Sequence, residues 1–301
     1  MSTSLLTIGQ RRAAASSRWA DYAELTKPKI ALLVLVTLFV ASVVSSWGQP
    51  DPWLTVHALL GTALVAASGS AWNQWLERKS DAKMARTEQR PLPAGRLTGS
   101  QVVLFGTATI LLGLLYLAWF TGIVTSLLAA LTWVLYVGVY TPLKSRTSWN
   151  TAVGAVAGAL PTLIGWTAVG GSIDQRAWAL FVIVYLWQFP HFMAIAWIYR
   201  HQYAAAGQKM LPVVEPSGHW AGAQAVAAAS VLVPVSLLPA VYGQVESLAY
   251  LLPAALLGVG QLACALFFCK QRSDRSARRL LQASLVYLPA LLFLMILIPW
   301  M

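Results

Sequence analysis

Nine apolar stretches, each about as long as a bilayer is thick, follow one another along this chain with only short loops between them. They fall at about 30–47, 55–76, 101–119, 123–142, 151–170, 177–199, 221–241, 247–269 and 280–300. A helix needs roughly 20 apolar residues to cross a hydrocarbon core of about 30 Å. A soluble domain of 301 residues would need more charged surface than 10% charged residues supply, and 58% of the chain is hydrophobic. The bilayer is therefore the expected solvent, and the expected fold class is an all-α integral membrane protein with nine transmembrane helices. A short hairpin at Phe120–Gly122 joins the third and fourth spans. No linker divides the chain, which reads as a cytoplasmic amino-terminal segment, 1–29, followed by one transmembrane domain, 30–301. The first apolar run comes late and continues as a full span, unlike a cleavable signal peptide.

The charges predict orientation. With the amino terminus cytoplasmic, all but one of the 21 Lys and Arg fall on the cytoplasmic side, in 1–29, 77–100, 143–150, 200–220 and 270–279. Only Arg176 lies on the other face, which is the positive-inside pattern and sends the carboxyl end, Trp300–Met301, outward. The net charge of +11 is thus a topological signal. It does not point to nucleic acid, because no soluble basic domain carries it, and part of it meets anionic lipid. Cys264 and Cys269 are too few and wrongly spaced for a metal cluster or a covalent haem attachment, and within the eighth span they read as buried and inert.

The outer loops, SWGQPDPW, FTG, GGSIDQ and YGQVES, are short and nearly uncharged. The inner loops are longer and hold nearly every group able to do chemistry, so the working surface belongs at the cytoplasmic ends of the spans. The first inner segment, WNQWLERKSDAKMARTEQRPLPAGR at 72–96, is the richest. Asn73, Glu77 and Asp81 are spaced four apart and share one slowly drifting helical stripe. Oxygen ligands on a stripe suit a hard divalent cation such as magnesium. Arg78, Lys79, Lys83, Arg86, Arg90 and Arg96 surround it with positive charge, as a phosphorylated substrate would require. The plainer alternative weighs equally for the acids: Asn73 bonds a neighbouring helix, and Glu77 and Asp81 pair with Arg78, Lys79 or Lys83. Two prolines in RPLPAGR stiffen the loop that keeps the arginines beside the stripe.

The second inner loop, YTPLKSRTSWN at 140–150, gathers Tyr140, Lys144, Arg146 and Asn150 at a helix end broken by Pro142. Its Lys and Arg can bind phosphate oxygens or simply anchor the positive-inside topology. In the third region, 187–218, Pro190 should kink or break the sixth span, with His191 following it at membrane depth. A lone histidine on an apolar helix is more often a hydrogen-bonded packing residue. Gln188 and His191 around a kink can instead line a polar cavity. AAAGQKMLPVV reads as a loop closing over the membrane surface, and KQRSDRSARR as a lipid-facing anchor.

Four segments carry a family resemblance: ELTKPKI at 24–30, NQWLERKSDAKMARTEQRPLPAGRL at 73–97, YTPLKSRTSWNTAVGAVAGALPTLIGW at 140–166, and YLWQFPHFMAIAW through AAAGQKMLPVV at 185–214. In order and spacing they resemble the protohaem IX farnesyltransferase (haem O synthase) branch of the UbiA superfamily of intramembrane prenyltransferases. The resemblance implies nine helices around a central cavity open to the cytoplasmic side and to lipid. It implies transfer of a farnesyl group from farnesyl diphosphate to a vinyl group of haem B, giving haem O and diphosphate for haem–copper oxidase cofactor synthesis. It implies a metal set of Asn73, Glu77 and Asp81 for magnesium, and a catalytic set that adds Lys144 and Arg146. Lys27, Lys29, Arg86, Arg90, Lys144 and Arg146 match its diphosphate-binding positions. His191, Gln188, Tyr140 and Gln202 are the candidates for the haem or the cavity wall. Trp72, Trp75, Trp187 and Phe189 are aromatic candidates for stabilising an allylic cation through their ring faces. A bacterial plasma (inner) membrane is the implied location, with a haem A synthase or oxidase assembly factors as partners.

Two positions depart from the family pattern. Glu77 stands where the superfamily usually has aspartate, with the same oxygen chemistry and a longer reach. His201 and Gln202 stand where acids of a second motif are common; histidine suits magnesium poorly and an amide carbonyl ligates weakly. One magnesium ion, or help from Glu215, would satisfy that site. The competing readings are a related prenyltransferase acting on a quinone precursor or another aromatic acceptor, a transporter or channel, and a non-catalytic assembly factor. A transporter predicts charged groups along a path through the bilayer, whereas these crowd one face.

Overall fold

The computed structural model describes residues 18–242 and 248–297. A short helix, α1 (Arg18–Leu25), precedes the first span, α2 (Pro28–Ser45), which is followed by α3 (Pro52–Asp81) and α4 (Gly99–Phe120). The fourth span is composite: α5 (Ile123–Trp133), a π-helical stretch at Val134–Tyr140, and the single turn α6 (Thr141–Leu143). Next come α7 (Asn150–Ala168) and α8 (Gln175–Ile198), then the short helices α9 (Arg200–Ala205) and α10 (Leu211–Val214). The last spans are α11 (His219–Val235) continued by α12 (Leu238–Tyr242), then α13 (Leu248–Gln271) and α14 (Asp274–Leu297). Among the described residues nine segments are long and apolar enough to cross a membrane, and they coincide with the nine apolar runs. The chain is a multi-pass integral membrane protein. Arg11, Arg12, residues 243–247 and the carboxyl end Trp300–Met301 lie outside the described residues.

Local chemistry sets the helix ends. Asp51 caps α3 by accepting from the Trp53 and Leu54 amides at 2.8 and 3.1 Å, with Pro52 at the first helical position. Thr98 and Gln101 form a capping box on α4, and Asp174 caps α8. The third and fourth spans turn through Thr121 and Gly122, where a φ of 97° calls for glycine. The helix of the second span runs past the apolar stretch to Asp81, as the four-residue spacing of the stripe predicts, with Glu77 and Asp81 buried and paired. One expectation changes: Pro190 does not break the sixth span, and α8 runs through it to Ile198. One missing N–H is tolerated where neighbouring helices support the helix on several sides.

The core lies where α2, α8, α11, α13 and α14 converge, on residues such as Val40, Leu180, Ile183, Leu232, Tyr250 and Leu291. A second contact seats α2 against α7: Ser42 Oγ donates to the Gly165 carbonyl at 2.9 Å, and a Cβ on Gly165 would collide with the Leu38 carbonyl. In a bilayer, helix association rests on such close approach by small residues. Large apolar side chains such as Leu32, Leu115, Leu127 and Val286 are exposed, as lipid-facing positions should be. Exposed tryptophans mark both rims. Trp19, Trp149 and Trp220 lie at the loop ends that carry the basic residues, and Trp53, Trp119 and Trp178 at the opposite ends.

Candidate active site

Three elements bring the charged groups together. The last turns of α3 present Asn73, Glu77 and Asp81, all buried, along one face. The turn between α1 and α2 supplies Lys27, and the end of the fourth span supplies Thr141 and Lys144. Lys27 Nζ lies 2.6 Å from Asn73 Oδ1, while Asn73 Nδ2 donates to Glu77 Oε2 and to Thr141 Oγ1, each at 3.0 Å. Lys144 Nζ reaches Glu77 Oε1 at 2.8 Å, and Arg90 Nη1 reaches Asp81 Oδ2 at 2.7 Å. Three cations thus meet two carboxylates and one amide. Arg78, by contrast, turns to the Trp75 carbonyl at 2.6 Å, so the acids take partners from distant segments rather than from the neighbours on their own helix.

Lys27 is held by strained backbone. It adopts φ 51° and ψ 63°, a left-handed conformation that side chains other than glycine rarely take. The surroundings enforce it: Leu25 is fully buried, and Gln74 Nε2 donates to its carbonyl at 2.8 Å. Arg96 ties α1 to the loop after α3 through Asp21, at 2.7 Å, and Glu24. Burial first, and then the nearby Arg90, push the Lys27 ammonium down to about 7. For Lys144, burial also acts downward, but the Glu77 carboxylate against it holds the ammonium well above the usual lysine value.

The π-helical stretch shapes the other wall. Both the amide and the hydroxyl of Thr141 donate to the Tyr136 carbonyl, five residues back, which widens the helix and leaves the hydroxyl to accept from Asn73. The Tyr136 and Tyr140 rings stack at 5.7 Å, and Lys144 Nζ sits 4.5 Å from the Tyr140 ring centroid. The AAAGQKMLPVV segment docks beside them: the Lys209 amide donates to the Lys144 carbonyl at 2.6 Å, and Asn150 Nδ2 to the Lys209 carbonyl at 3.2 Å. A cavity of about 350 Å³ next to the stripe is lined by Glu77, Lys79, Ser80, Thr141, Lys144 and Gln208. An apolar groove of about 660 Å³ begins at Thr26 and Pro28, beside Lys27, and runs between α2, α3 and α4 past Leu35 and Leu64 to Tyr116.

Among the residues singled out from sequence, Lys27, Asn73, Glu77, Asp81, Arg90, Tyr140 and Lys144 therefore assemble. Arg86 and Gln202 sit to one side. The Arg86 amide donates to Gln202 Oε1 at 3.4 Å, and the guanidinium lies 5.0 and 5.6 Å from the Tyr199 and Tyr203 ring centroids. Lys29 and Arg146 are exposed, as is His201, while Glu215 bonds Ser217 and the Trp220 amide. Gln188 donates to the Ala155 and Val184 carbonyls, and His191 Nδ1 pairs with Ser284 Oγ at 2.9 Å. The aromatic candidates also pack elsewhere. Trp72 meets Trp75 and Trp133 edge-on, Trp187 donates to the Ser284 carbonyl, and Phe189 packs on Tyr185. Sequence reasoning missed Thr141 and Gln208; the only signal was their place inside YTPLK and AAAGQKM.

Magnesium can be tested against this donor set. Asn73, Glu77 and Asp81 offer hard oxygen atoms on one buried face, which fits. Among the described residues no three His, Cys, Asp or Glu side chains gather to hold a metal unaided. That also fits, since magnesium typically takes one or two carboxylates and completes its shell with water and substrate phosphates.

The fold and the site define a polytopic membrane protein with a buried cluster of acids and cations at the basic-loop ends of its helices. Residues 34–296 match the UbiA prenyltransferase family, and the chain belongs to that family. It is 41% identical over 289 residues to a protoheme IX farnesyltransferase of Solibacter usitatus, covering 92% of this chain and 98% of that protein. It is 42% identical over 280 residues to the protein of that name from Salinibacter ruber, covering 93% and 98%. Its fold is similar to a structure described for digeranylgeranylglyceryl phosphate synthase, with TM-score 0.80, 17% identity and coverage of 94% and 98%. A UbiA homolog from Archaeoglobus fulgidus bound to GPP and Mg2+ has TM-score 0.63, 17% identity and coverage of 92% and 99%. At such identities the structural likeness is one of fold.

Proposed function

We propose that this prenyltransferase moves a farnesyl group from farnesyl diphosphate to a vinyl group of haem B (protohaem IX), giving haem O and diphosphate. The observation that carries the reading is the convergence of Lys27, Lys144 and Arg90 on the Asn73–Glu77–Asp81 stripe at one end of an apolar bundle. The names of the relatives point to the same substrates.

In this reading Lys27, Lys144, Arg86 and Arg90 bind the diphosphate oxygens, with Lys29 and Arg146 drawing the substrate in from the surface. Asn73, Glu77 and Asp81 hold magnesium, which when bound supplies positive charge against the departing group. The bond between C1 of the farnesyl chain and the bridging oxygen breaks, and its electron pair leaves with diphosphate. The vinyl π electrons form the new carbon–carbon bond to C1. Water then adds to the cation left on the porphyrin side chain and loses a proton, which supplies the hydroxyl of haem O. Tyr140, whose ring lies beside Lys144, is the aromatic group we assign to the developing allylic charge. The apolar groove that starts beside Lys27 takes the isoprenoid tail. We place Tyr140 and Gln202 toward the haem. His191, whose ring is oriented by Ser284, is the nitrogen to test as an iron ligand, through the Soret band of haem-loaded His191→Ala protein.

The residues from 30 onward act as one domain. The membrane is the bacterial plasma membrane, with the site and the amino terminus on the cytoplasmic side; reporter fusions at successive loops test that orientation. The product goes to a haem A synthase or to oxidase assembly factors. The deciding assay supplies membranes with haem B, farnesyl diphosphate and magnesium and resolves the haems by mass. Haem O is the expected product. Prenylation of a quinone precursor instead would move the assignment to that acceptor class, and no prenylated product of any kind would remove both.

A further inference from the structure

In the free protein each of the three stripe side chains already has a basic group against one of its oxygens. Lys27 stands at Asn73 Oδ1, Lys144 at Glu77 Oε1 and Arg90 at Asp81 Oδ2, at 2.6, 2.8 and 2.7 Å. A divalent ion approaching these atoms meets a lysine or arginine head group already bonded to each side chain it needs, in a buried setting that screens charge little. Diphosphate changes that balance. Its oxygens are strong acceptors for ammonium and guanidinium groups, and its charge attracts the cations and the metal alike. The three cations come from three separate segments, namely the turn before α2, the loop after α3 and the end of the fourth span. Each can therefore change partner while α3 stays in place.

We propose that the stripe accepts a divalent cation only together with diphosphate, which draws Lys27, Lys144 and Arg90 off Asn73, Glu77 and Asp81 and frees those oxygens for the metal. This rests on the reading of the site as a prenyl diphosphate site and adds its order of assembly. By reciprocity the metal strengthens diphosphate binding by the same factor that diphosphate strengthens metal binding.

Purified full-length protein provides the test, with Mn2+ as a paramagnetic probe and labelled inorganic diphosphate as the anion. Retention of diphosphate on the protein should rise by roughly 5–150-fold when Mn2+ is added, the usual span of coupling between two ligands. Without diphosphate, wild-type protein should bind Mn2+ weakly. Lys144→Gln, which leaves Glu77 without its counter-ion, should bind it about tenfold more tightly or better. Lys27→Gln, which frees Asn73, reads the same gain if the first variant does not fold. Equal Mn2+ affinity in wild type and both variants, or diphosphate retention indifferent to Mn2+, overturns the exchange. If wild-type protein nevertheless makes haem O, only the exchange has failed; if it makes none and retains no diphosphate under any condition, the reading of the site has failed with it.

Discussion

Lys144 Nζ lies 2.8 Å from Glu77 Oε1, joining the end of the fourth span to the last turns of α3 across the mouth of the site. Both side chains are largely buried, so this pair differs from a surface ion pair worth little. Removing one partner leaves an uncompensated charge, typically at a cost of about 3–5 kcal/mol. Lys144→Gln should therefore melt well below wild type in detergent. Added Mn2+ should restore much of that loss in the variant while hardly moving the wild type, because a ligand that binds only the folded state raises its stability. A melting curve of the variant that ignores Mn2+ would show that Glu77 does not face the metal.

Asp81 has its carboxylate on Arg90, and its backbone carbonyl accepts from Thr87 Oγ1 at 2.9 Å. The loop geometry thus rests partly on the main chain, and Asp81→Asn should fold. The neutral side chain is a far weaker metal ligand, so haem O formation should drop below detection. Full activity in a folded Asp81→Asn protein removes Asp81 from the metal set.

Thr141 tests the orientation of Asn73. Its hydroxyl accepts one of the two Asn73 amide hydrogens at 3.0 Å, and the other goes to Glu77. Thr141→Val preserves shape but leaves that donor buried without a partner, a penalty of about 1–3 kcal/mol. Turnover should fall roughly 10- to 100-fold, and Thr141→Ser should recover most of it. Equal loss in the serine variant would mean that packing, not the hydrogen bond, sets the effect.

His201 and Gln202 bear on metal count. His201 is exposed, and Gln202 Oε1 already accepts from the Arg86 amide, so neither belongs to a cluster of acids. The diphosphate complex of the wild type should therefore hold one Mn2+ per chain by spin counting. Gln202→Asp should gain little, since Arg86 stands ready to pair with the new carboxylate. Two bound ions in the wild type, or a large rate gain in the variant, would overturn the single-metal assignment.

The spans were readable because a run of roughly 20 apolar residues has few other fates. The stripe was readable because its spacing of four is a helical one. Its partners were not. Sequence proximity favours Arg78, Lys79 and Lys83, yet α3 aims Arg78 at its own Trp75 carbonyl, and the acids meet cations delivered by tertiary folding. The π-helical stretch that aims Thr141 at Asn73 leaves no periodic signature, because it shifts the register by a single residue. Lys27 was legible only through the family resemblance; its place against Asn73 depends on a left-handed turn that the sequence TKPK does not reveal.

Gly165 offers a test of the fold that is independent of the chemistry. It lies where α7 crosses α2, and Ser42 Oγ donates to its carbonyl at 2.9 Å. A Cβ there would strike the Leu38 carbonyl, which is backbone and cannot rotate away. Gly165→Ala should thus force the two helices apart and cost about 1–3 kcal/mol, the usual range for overpacking. Gly138→Ala is the control, since a Cβ at that position meets nothing within 4 Å. Thermal unfolding in detergent should show a clear drop for Gly165→Ala and little change for Gly138→Ala. If the two variants melt alike, the α2–α7 crossing is looser than this backbone contact requires.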